Sequence, residues 1–241
     1  HAIPAYEDVW HYLWRERRLP VNVDPLQSKL EDAEERTRLA KIFEQGLRRV
    51  VGYVLPLRRN HKTGAEWRSS VWPLRSEHLF LIPGDSPIGY RLPLDSLPWV
   101  AEEDYPHIYE ADPFAKAPAL AKGTRHRETQ QARVQDHPGA VRPRTEVATQ
   151  ALPAPGQSAK GVVRTALCVE PRNGRLHIFM PPVATAEDYL ALVAAIEETA
   201  CALKMPVVIE GATPPSNRQL NQLRVTPDPG VIEVNMHPAH S

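Results

Sequence analysis

The dipeptide Asn173-Gly174 limits the fold of this chain more than any other feature, because it joins two apolar runs through a tight turn. The runs, Arg164–Pro171 and Leu176–Met180, both have the pattern of strands. A two-residue Asn-Gly turn needs positive φ at both positions and is the strongest short signal for a β-hairpin. The turn also fixes the register of the two strands. It predicts two cross-strand pairs on one face, Glu170 with His177 and Cys168 with Phe179.

The residues after this hairpin continue a mixed pattern of strands and one helix. An apolar stripe predicts a helix over Ala186–Lys204, with Thr185 and Asp188 as a capping box. Short strands follow at Val207–Glu210 and within Gly230–Pro238, and a Pro- and Asn-rich loop leads to Leu223–Val225 between them. The order is therefore β-β-α-β-β. We predict an α+β fold in which an antiparallel or mixed sheet is packed by helices.

The first 110 residues are predicted to be helical at first and then rich in strands. Apolar periodicity indicates helices over residues 6–18 and 32–48. Short β-like runs follow at Val50–Leu57, Glu66–Trp72 and His78–Ile82. Residues 91–99 are apolar and extended. We interpret Arg91 and Asp95 within them as a structural ion pair in preference to a substrate-facing pair.

The character of the chain changes between about residues 111 and 160. Pro, Ala, Gln, Arg and Thr dominate there, and periodic apolar positions vanish. The stretch is too long for an ordinary loop, so we predict a mobile linker or a disordered insertion. The predicted organisation is an N-terminal α+β segment over 1–110, this linker over 111–160, and a C-terminal segment over 161–241.

Composition excludes several functional classes. Lys+Arg and Asp+Glu both number 29, which gives no case for a nucleic-acid partner or an acidic membrane surface. No run of about 18 apolar residues exists, so no transmembrane helix is predicted. The two cysteines fit a reducing compartment, and we expect a cytoplasmic protein. The chain starts at His1 without an initiator Met and stops directly after a polar strand, so we expect a piece of a longer protein.

Acidic and imidazole groups recur where one face of a sheet would gather them. Glu233, Asn235 and His237 alternate along the last strand and therefore share a face. Glu170, His177 and Glu210 lie on the earlier strands. Carboxylates pressed together repel unless a cation sits between them, and oxygen ligands on rigid strands suit Mg²⁺ or Mn²⁺. A solvated face with ion pairs is the alternative interpretation.

Arginines lie near the same strands and turns: Arg164, Arg172, Arg175, Arg218 and Arg224. The guanidinium fork matches phosphate or carboxylate oxygens bidentately. Carboxylates for a metal and arginines for anions together indicate a metal–nucleotide site. The chain has no GxxxxGK[ST], GxGxxG, HExxH or CxxC motif.

A Cys-His nucleophilic pair is the rival chemistry. Cys168 and His177 are diagonal neighbours on one hairpin face, which makes a hydrolase conceivable. A diagonal separation of about 7–8 Å is long for proton transfer, and the hypothesis needs an exposed Cys168. We expect both Cys168 and Cys201 to be structural core residues.

Five stretches resemble a bacterial family of amidoligases first recorded as a domain of unknown function: Trp14–Pro25, Val51–Arg59, Arg91–Trp99, Arg164–Arg172 and Val225–Asn235. The resemblance spans nearly the whole chain except the linker. It implies a glutamine-synthetase-like fold and an ATP-dependent carboxylate–amine ligase acting on peptides or small carboxylate and amine substrates. It also implies a transglutaminase-like domain in the same parent chain.

The resemblance further implies roles for individual residues. Glu170, Glu210, Glu233 and Asn235 match positions where related ligases present metal ligands. Arg164 and Arg172 would act in catalysis, and Arg175, Arg218 and Arg224 would bind ATP. Mg²⁺ and the arginines would hold the γ-phosphate while a carboxylate attacks it, giving an acyl phosphate that an amine captures.

The resemblance implies that much of the family's ligase region would follow the last strand, so we expect the 241 residues alone to be inactive. A non-catalytic module that binds a peptide or a partner domain through a strand edge and residues 91–99 is the alternative function. That alternative predicts an exposed apolar groove and no carboxylate cluster.

Overall fold

The computed structural model describes residues 2–8, 10–11, 14, 17, 49–60, 66–74, 78–108 and 153–236. These residues divide into two compact units. The first contains those up to His107 and those within Val141–Pro182 and Thr199–Thr213. The second contains those within Ile108–Ala140, Val183–Glu198 and Pro214–Ser241.

A six-stranded mixed sheet forms the first unit. Its strands are β1 (Ile3–Glu7), β2 (Val50–Pro56), β5 (Leu79–Leu81), β6 (Ala166–Arg172), β7 (Arg175–Met180) and β8 (Val207–Gly211). The spatial order is β5-β1-β2-β6-β7-β8. The two outer pairs, β1 with β5 and β7 with β8, are parallel, and the pairs between them are antiparallel. The mixed sheet and the α+β content agree with the predicted class. Strands from both sides of residues 109–152 join in this one sheet.

The β6–β7 hairpin has the predicted register. Glu170 pairs with His177 and Cys168 pairs with Phe179. Asn173 has φ 51° and Gly174 has φ 74°, as the Asn-Gly turn requires. The turn chemistry alone therefore specified which side chains share a face.

The face that carries Cys168 changes from apolar to polar along the strands. Ala5, Val54 and Cys168 are fully buried at its apolar end, together with Leu79 and Leu81 of β5. Two residues further along β6, the same face presents Glu170, and beyond it Arg172. The polar residues therefore lie at the margin of the core, where a charge keeps some contact with water.

A chain segment with three short 3-10 turns follows β5, at Ile88–Arg91, Leu94–Ser96 and Glu102–Asp104. Leu92 and Leu97 are buried in the core whereas Trp99 is exposed, so binding of a partner through residues 91–99 stays a prediction. The extended conformation predicted for these residues is wrong, because two of the 3-10 turns include part of them. The predicted partner of Arg91 is also wrong, since Glu7 takes that role through two hydrogen bonds of 2.9 Å.

A small hairpin pairs β3 (Arg58–Asn60) with β4 (Glu66–Arg68). The Arg59 guanidinium lies 5.0 Å from the centroid of the Trp67 ring, a cation–π contact. The predicted strand Glu66–Trp72 ends early, at Arg68. Trp72 instead enters the core and donates its indole N–H to the Val163 carbonyl at 2.7 Å.

One helix, α1 (Ala186–Leu203), follows the sheet hairpin. The Asp188 amide donates to Thr185 Oγ1 at 3.2 Å, so Thr185 caps the helix as predicted. Strands β9 (Arg224–Asp228) and β10 (Val231–Asn235) form a hairpin in the second unit. The predicted order β-β-α-β-β is one strand short, because the described residues from β6 onward give β-β-α-β-β-β, and β9 and β10 make a two-stranded sheet of their own.

Several predictions concern residues that the structure leaves undescribed. The helix predicted over 32–48 lies outside the described residues, as does the predicted linker up to residue 152. The helix predicted from residue 6 begins later, because Tyr6 and Glu7 belong to β1, while Trp10, His11 and Trp14 are helical. Within the described part of the chain, no helix has the length and apolar character needed to cross a membrane.

Candidate functional site

Arg172 lies at the centre of a charged cluster on the sheet face. Its Nη1 lies 3.0 Å from Glu170 Oε1 and forms an ion pair with it. Its Nη2 contacts Glu210 Oε1 and lies 2.6 Å from His177 Nδ1. Arg172 thus connects two carboxylates and one imidazole, which come from three neighbouring strands.

Strand pairing explains why these side chains meet. Glu170 and His177 are directly opposite in the antiparallel β6–β7 pair. The parallel β7–β8 pair then places Glu210 opposite Phe179, two residues from His177 on the same face. His177 Nδ1 and Glu210 Oε1 are 2.8 Å apart. A protonated Nδ1 donates to Glu210, whereas an unprotonated one accepts from Arg172.

The acidity of Glu210 reflects competing influences. Partial burial by itself raises the pKa of this carboxyl group. Hydrogen bonds from Arg172 and His177 and the charges of both residues outweigh that effect, so the pKa of Glu210 is lowered from its usual value. Glu210 is therefore an ionised acceptor at neutral pH.

Backbone from the first 3-10 turn completes the cluster. The Ile88 amide donates to Glu170 Oε2 at 3.2 Å, so the two oxygens of Glu170 are held by different partners. The sequence does not predict this contact. A backbone donor 82 residues away leaves no signal in side-chain chemistry, and only the tertiary fold reveals it.

The other predicted arginines have separate surroundings. Arg164 donates to the Pro98 carbonyl oxygen. Arg175 is exposed directly across the hairpin from Arg172. In the second unit, Arg218 is exposed, and exposed Arg224 donates to Gln222 Oε1 at 3.1 Å. Of the five predicted arginines, Arg172 is the one that contacts the predicted carboxylates in the part of the chain the structure describes.

Glu233 and Asn235 share one face of β10, as the strand period predicted. The Asn235 amide donates to Glu233 Oε1 at 2.9 Å, and both side chains are exposed. They belong to the second unit, whereas Glu170 and Glu210 belong to the first. The four-residue ligand set therefore stays a prediction, and His237 lies outside the described residues.

The two cysteines differ in their exposure to solvent. Cys168 is fully buried, and burial followed by the nearby charge of Glu170 raises the pKa of its thiol from 9.0 to about 12. A thiol that stays protonated and lacks solvent access is a poor nucleophile, so the Cys-His hydrolase hypothesis loses its required feature. Cys201 is exposed on α1, contrary to the prediction that it is a core residue.

The cluster has more negative than positive charge before the imidazole is counted, because two carboxylates face one guanidinium. In the described residues, no group of three or more His, Cys, Asp and Glu side chains is arranged to hold a metal ion. Mg²⁺ typically uses only one or two protein carboxylates, with waters and substrate phosphates supplying its remaining ligands. Glu170 and Glu210, each in contact with Arg172, are the candidate carboxylates for such a site.

Comparison with known proteins gives one match. The family model described as "Putative amidoligase enzyme (DUF2126)" matches residues 1–241. No curated protein matches the chain. No solved structure matches it either.

Proposed function

Because the chain belongs to this amidoligase family over all 241 residues, we propose that it carries part of the site of an ATP- and Mg²⁺-dependent amide ligase. Such an enzyme joins a carboxylate to an amine through an acyl phosphate. The observation that carries this proposal is the convergence of Glu170 and Glu210 on Arg172 at the margin of the core. That convergence supplies carboxylates for a cation and a guanidinium for an anion within one cluster.

The charge of the cluster favours a cation-assisted reaction. By itself the excess of carboxylate repels a triphosphate, whose oxygens are strongly negative. Two added positive charges from Mg²⁺ reverse that sign and allow phosphate oxygens to approach. Glu170 and Glu210 would hold the ion, which would neutralise charge on the transferring phosphoryl group.

The residues of the chain would have distinct parts in this reaction. Arg172 would orient the two carboxylates and offer its remaining N–H groups to a phosphate oxygen. The Ile88 amide would keep Glu170 from rotating away. Such preorganised charge contributes to catalysis because it needs no reorganisation as the reaction proceeds.

The proposed reaction has two steps, the transfer of a phosphoryl group and the formation of an amide bond. A substrate carboxylate oxygen attacks the γ-phosphorus of ATP, and the bond to the β-phosphate oxygen breaks to release ADP. The amine nitrogen then attacks the acyl carbon, inorganic phosphate leaves, and the amine proton passes to a base.

Calorimetric titration of the full chain with ATP in the presence and absence of Mg²⁺ tests the proposal. We expect binding that requires Mg²⁺ and that weakens at least about tenfold in Glu170→Gln and in Glu210→Gln, because each change removes a carboxylate ligand. Glu103→Gln, at an exposed position in the third 3-10 turn, is the matched control. Binding of ATP that is indifferent to Mg²⁺ and to both substitutions would contradict the assignment.

A further inference from the structure

The first 3-10 turn is fixed to the sheet at three of its four residues. The Ile88 amide binds Glu170, and the Arg91 guanidinium forms a two-bond ion pair with Glu7. Gly89 lies so close to Phe179 that an added Cβ would be 2.1 Å from the ring. The remaining residue, Tyr90, is 67% exposed.

The Tyr90 ring packs against the Phe179 ring beside the charged cluster. Its ring meets that of Phe179 edge to face, with centroids 4.8 Å apart and planes at 82°. Phe179 shares the sheet face of Glu170 and His177 and is directly opposite Glu210. The Tyr90 ring is therefore held next to the proposed phosphate site.

A large exposed aromatic ring on a fixed turn is suited to stacking. Three anchored neighbours limit the movement of the Tyr90 backbone, so little conformational entropy is lost when a ligand packs on the ring. Aromatic side chains stack on the flat face of any nucleobase and need no specific hydrogen bonds to do so. The nearby charged cluster would hold the phosphates of a nucleotide, and the Tyr90 ring would stack on its base.

We propose that Tyr90, supported by Phe179, forms the subsite that stacks on the base of the nucleotide whose phosphates are held at the Glu170–Arg172–Glu210 cluster. This inference rests on the proposed function, because the nucleotide in question is the ATP of the proposed ligase reaction. It assigns a binding role to a residue that sequence reasoning did not single out.

Two ligands separate base stacking from phosphate binding in calorimetric titrations of the full chain: Mg²⁺–ATP and Mg²⁺–tripolyphosphate, which has no base. We expect Tyr90→Ala to weaken ATP binding about 5- to 150-fold, the usual effect of losing one base–aromatic stack. Tripolyphosphate binding should be unchanged in the same variant, which also shows that the site is still folded. Tyr90→Phe retains the ring and should bind ATP like the unsubstituted chain.

Tyr53→Ala is the matched control, because Tyr53 is an exposed tyrosine on β2 of the same unit and pairs with Val169, on the face opposite Glu170. It should leave both affinities unchanged. If Tyr90→Ala binds ATP as well as the unsubstituted chain, or loses both ligands equally, the stacking subsite is wrong. If the unsubstituted chain binds neither ligand, the proposed function fails, and the subsite fails with it.

Discussion

Arg172 contacts Glu170, Glu210 and His177, and its removal should lower the free energy of unfolding. Arg172→Gln would leave Glu170 and Glu210 without the cation between them. We expect a loss of about 1–2 kcal/mol in the free energy of unfolding, less than for a fully buried pair because solvent screens part of the charge. Urea denaturation at neutral pH measures this. Arg175→Gln, across the hairpin at an exposed position, should change stability by less than about 0.5 kcal/mol. Equal losses in the two variants would contradict the central role of Arg172.

The lowered pKa of Glu210 predicts a pH dependence of stability. A carboxyl group with a folded-state pKa below its unfolded value of 4.5 stabilises the protein above that value. The stabilisation is lost as the pH falls through the folded-state pKa, which lies below 4.5. The difference in melting temperature between the unsubstituted chain and Glu210→Gln should therefore shrink as the pH decreases from 6 towards 3. A difference in melting temperature that grows on acidification would contradict a lowered pKa of Glu210.

The thiol groups offer an independent test of burial. Because burial raises the pKa of Cys168 to about 12, iodoacetamide at pH 8 should label Cys201 alone in the native chain. Cys168 should react only after denaturation. Peptide mass spectrometry identifies the labelled residue. Rapid native labelling of Cys168 would restore the hydrolase hypothesis.

Among the elements, the first 3-10 turn depends on the absence of a side chain at Gly89. Gly89→Ala would drive a methyl group into the Phe179 ring, and we expect a loss of about 1–3 kcal/mol in the free energy of unfolding. Gly84→Ala is the control, because its Cβ would meet Arg91 Cδ at an ordinary 3.4 Å. Thermal denaturation compares the two. Similar melting temperatures would mean that the turn does not pack tightly on the sheet.

The β6–β7 hairpin and the first 3-10 turn also show which contacts can be predicted from the sequence. The Asn-Gly turn specified the β6–β7 register and hence the Glu170–His177 pair, because turn chemistry is local. Glu210 was a candidate, but its alignment depends on a parallel pair that no local rule defines. Arg91 and Glu7 are 84 residues apart, so the sequence favours the nearer carboxylate of Asp95 as the partner of Arg91. Turn residues and side-chain types thus predicted one hairpin and the kinds of residue in the site. The site itself is assembled by the packing of segments that are distant in the sequence.

For the whole molecule, the central β2–β6 pair predicts how the chain responds to cleavage. If residues 111–160 are a linker, as their composition predicts, trypsin should cut there first. The two pieces should stay together during gel filtration, because Val54 and Cys168 pair in the buried sheet and Trp72 binds the Val163 carbonyl. They should separate in urea. Separation under native conditions would contradict the sheet order.

That same pairing has a consequence for the route by which the protein assembles. The β6–β7 hairpin closes through two turn residues, whereas Leu57 and Thr165, at the junction of β2 and β6, are 108 residues apart. Closing so long a loop costs more entropy, so the hairpin should form early and β2 should add to it late. After cleavage the late step becomes an encounter between two molecules. Refolding would then change from a first-order process to one whose rate depends on protein concentration.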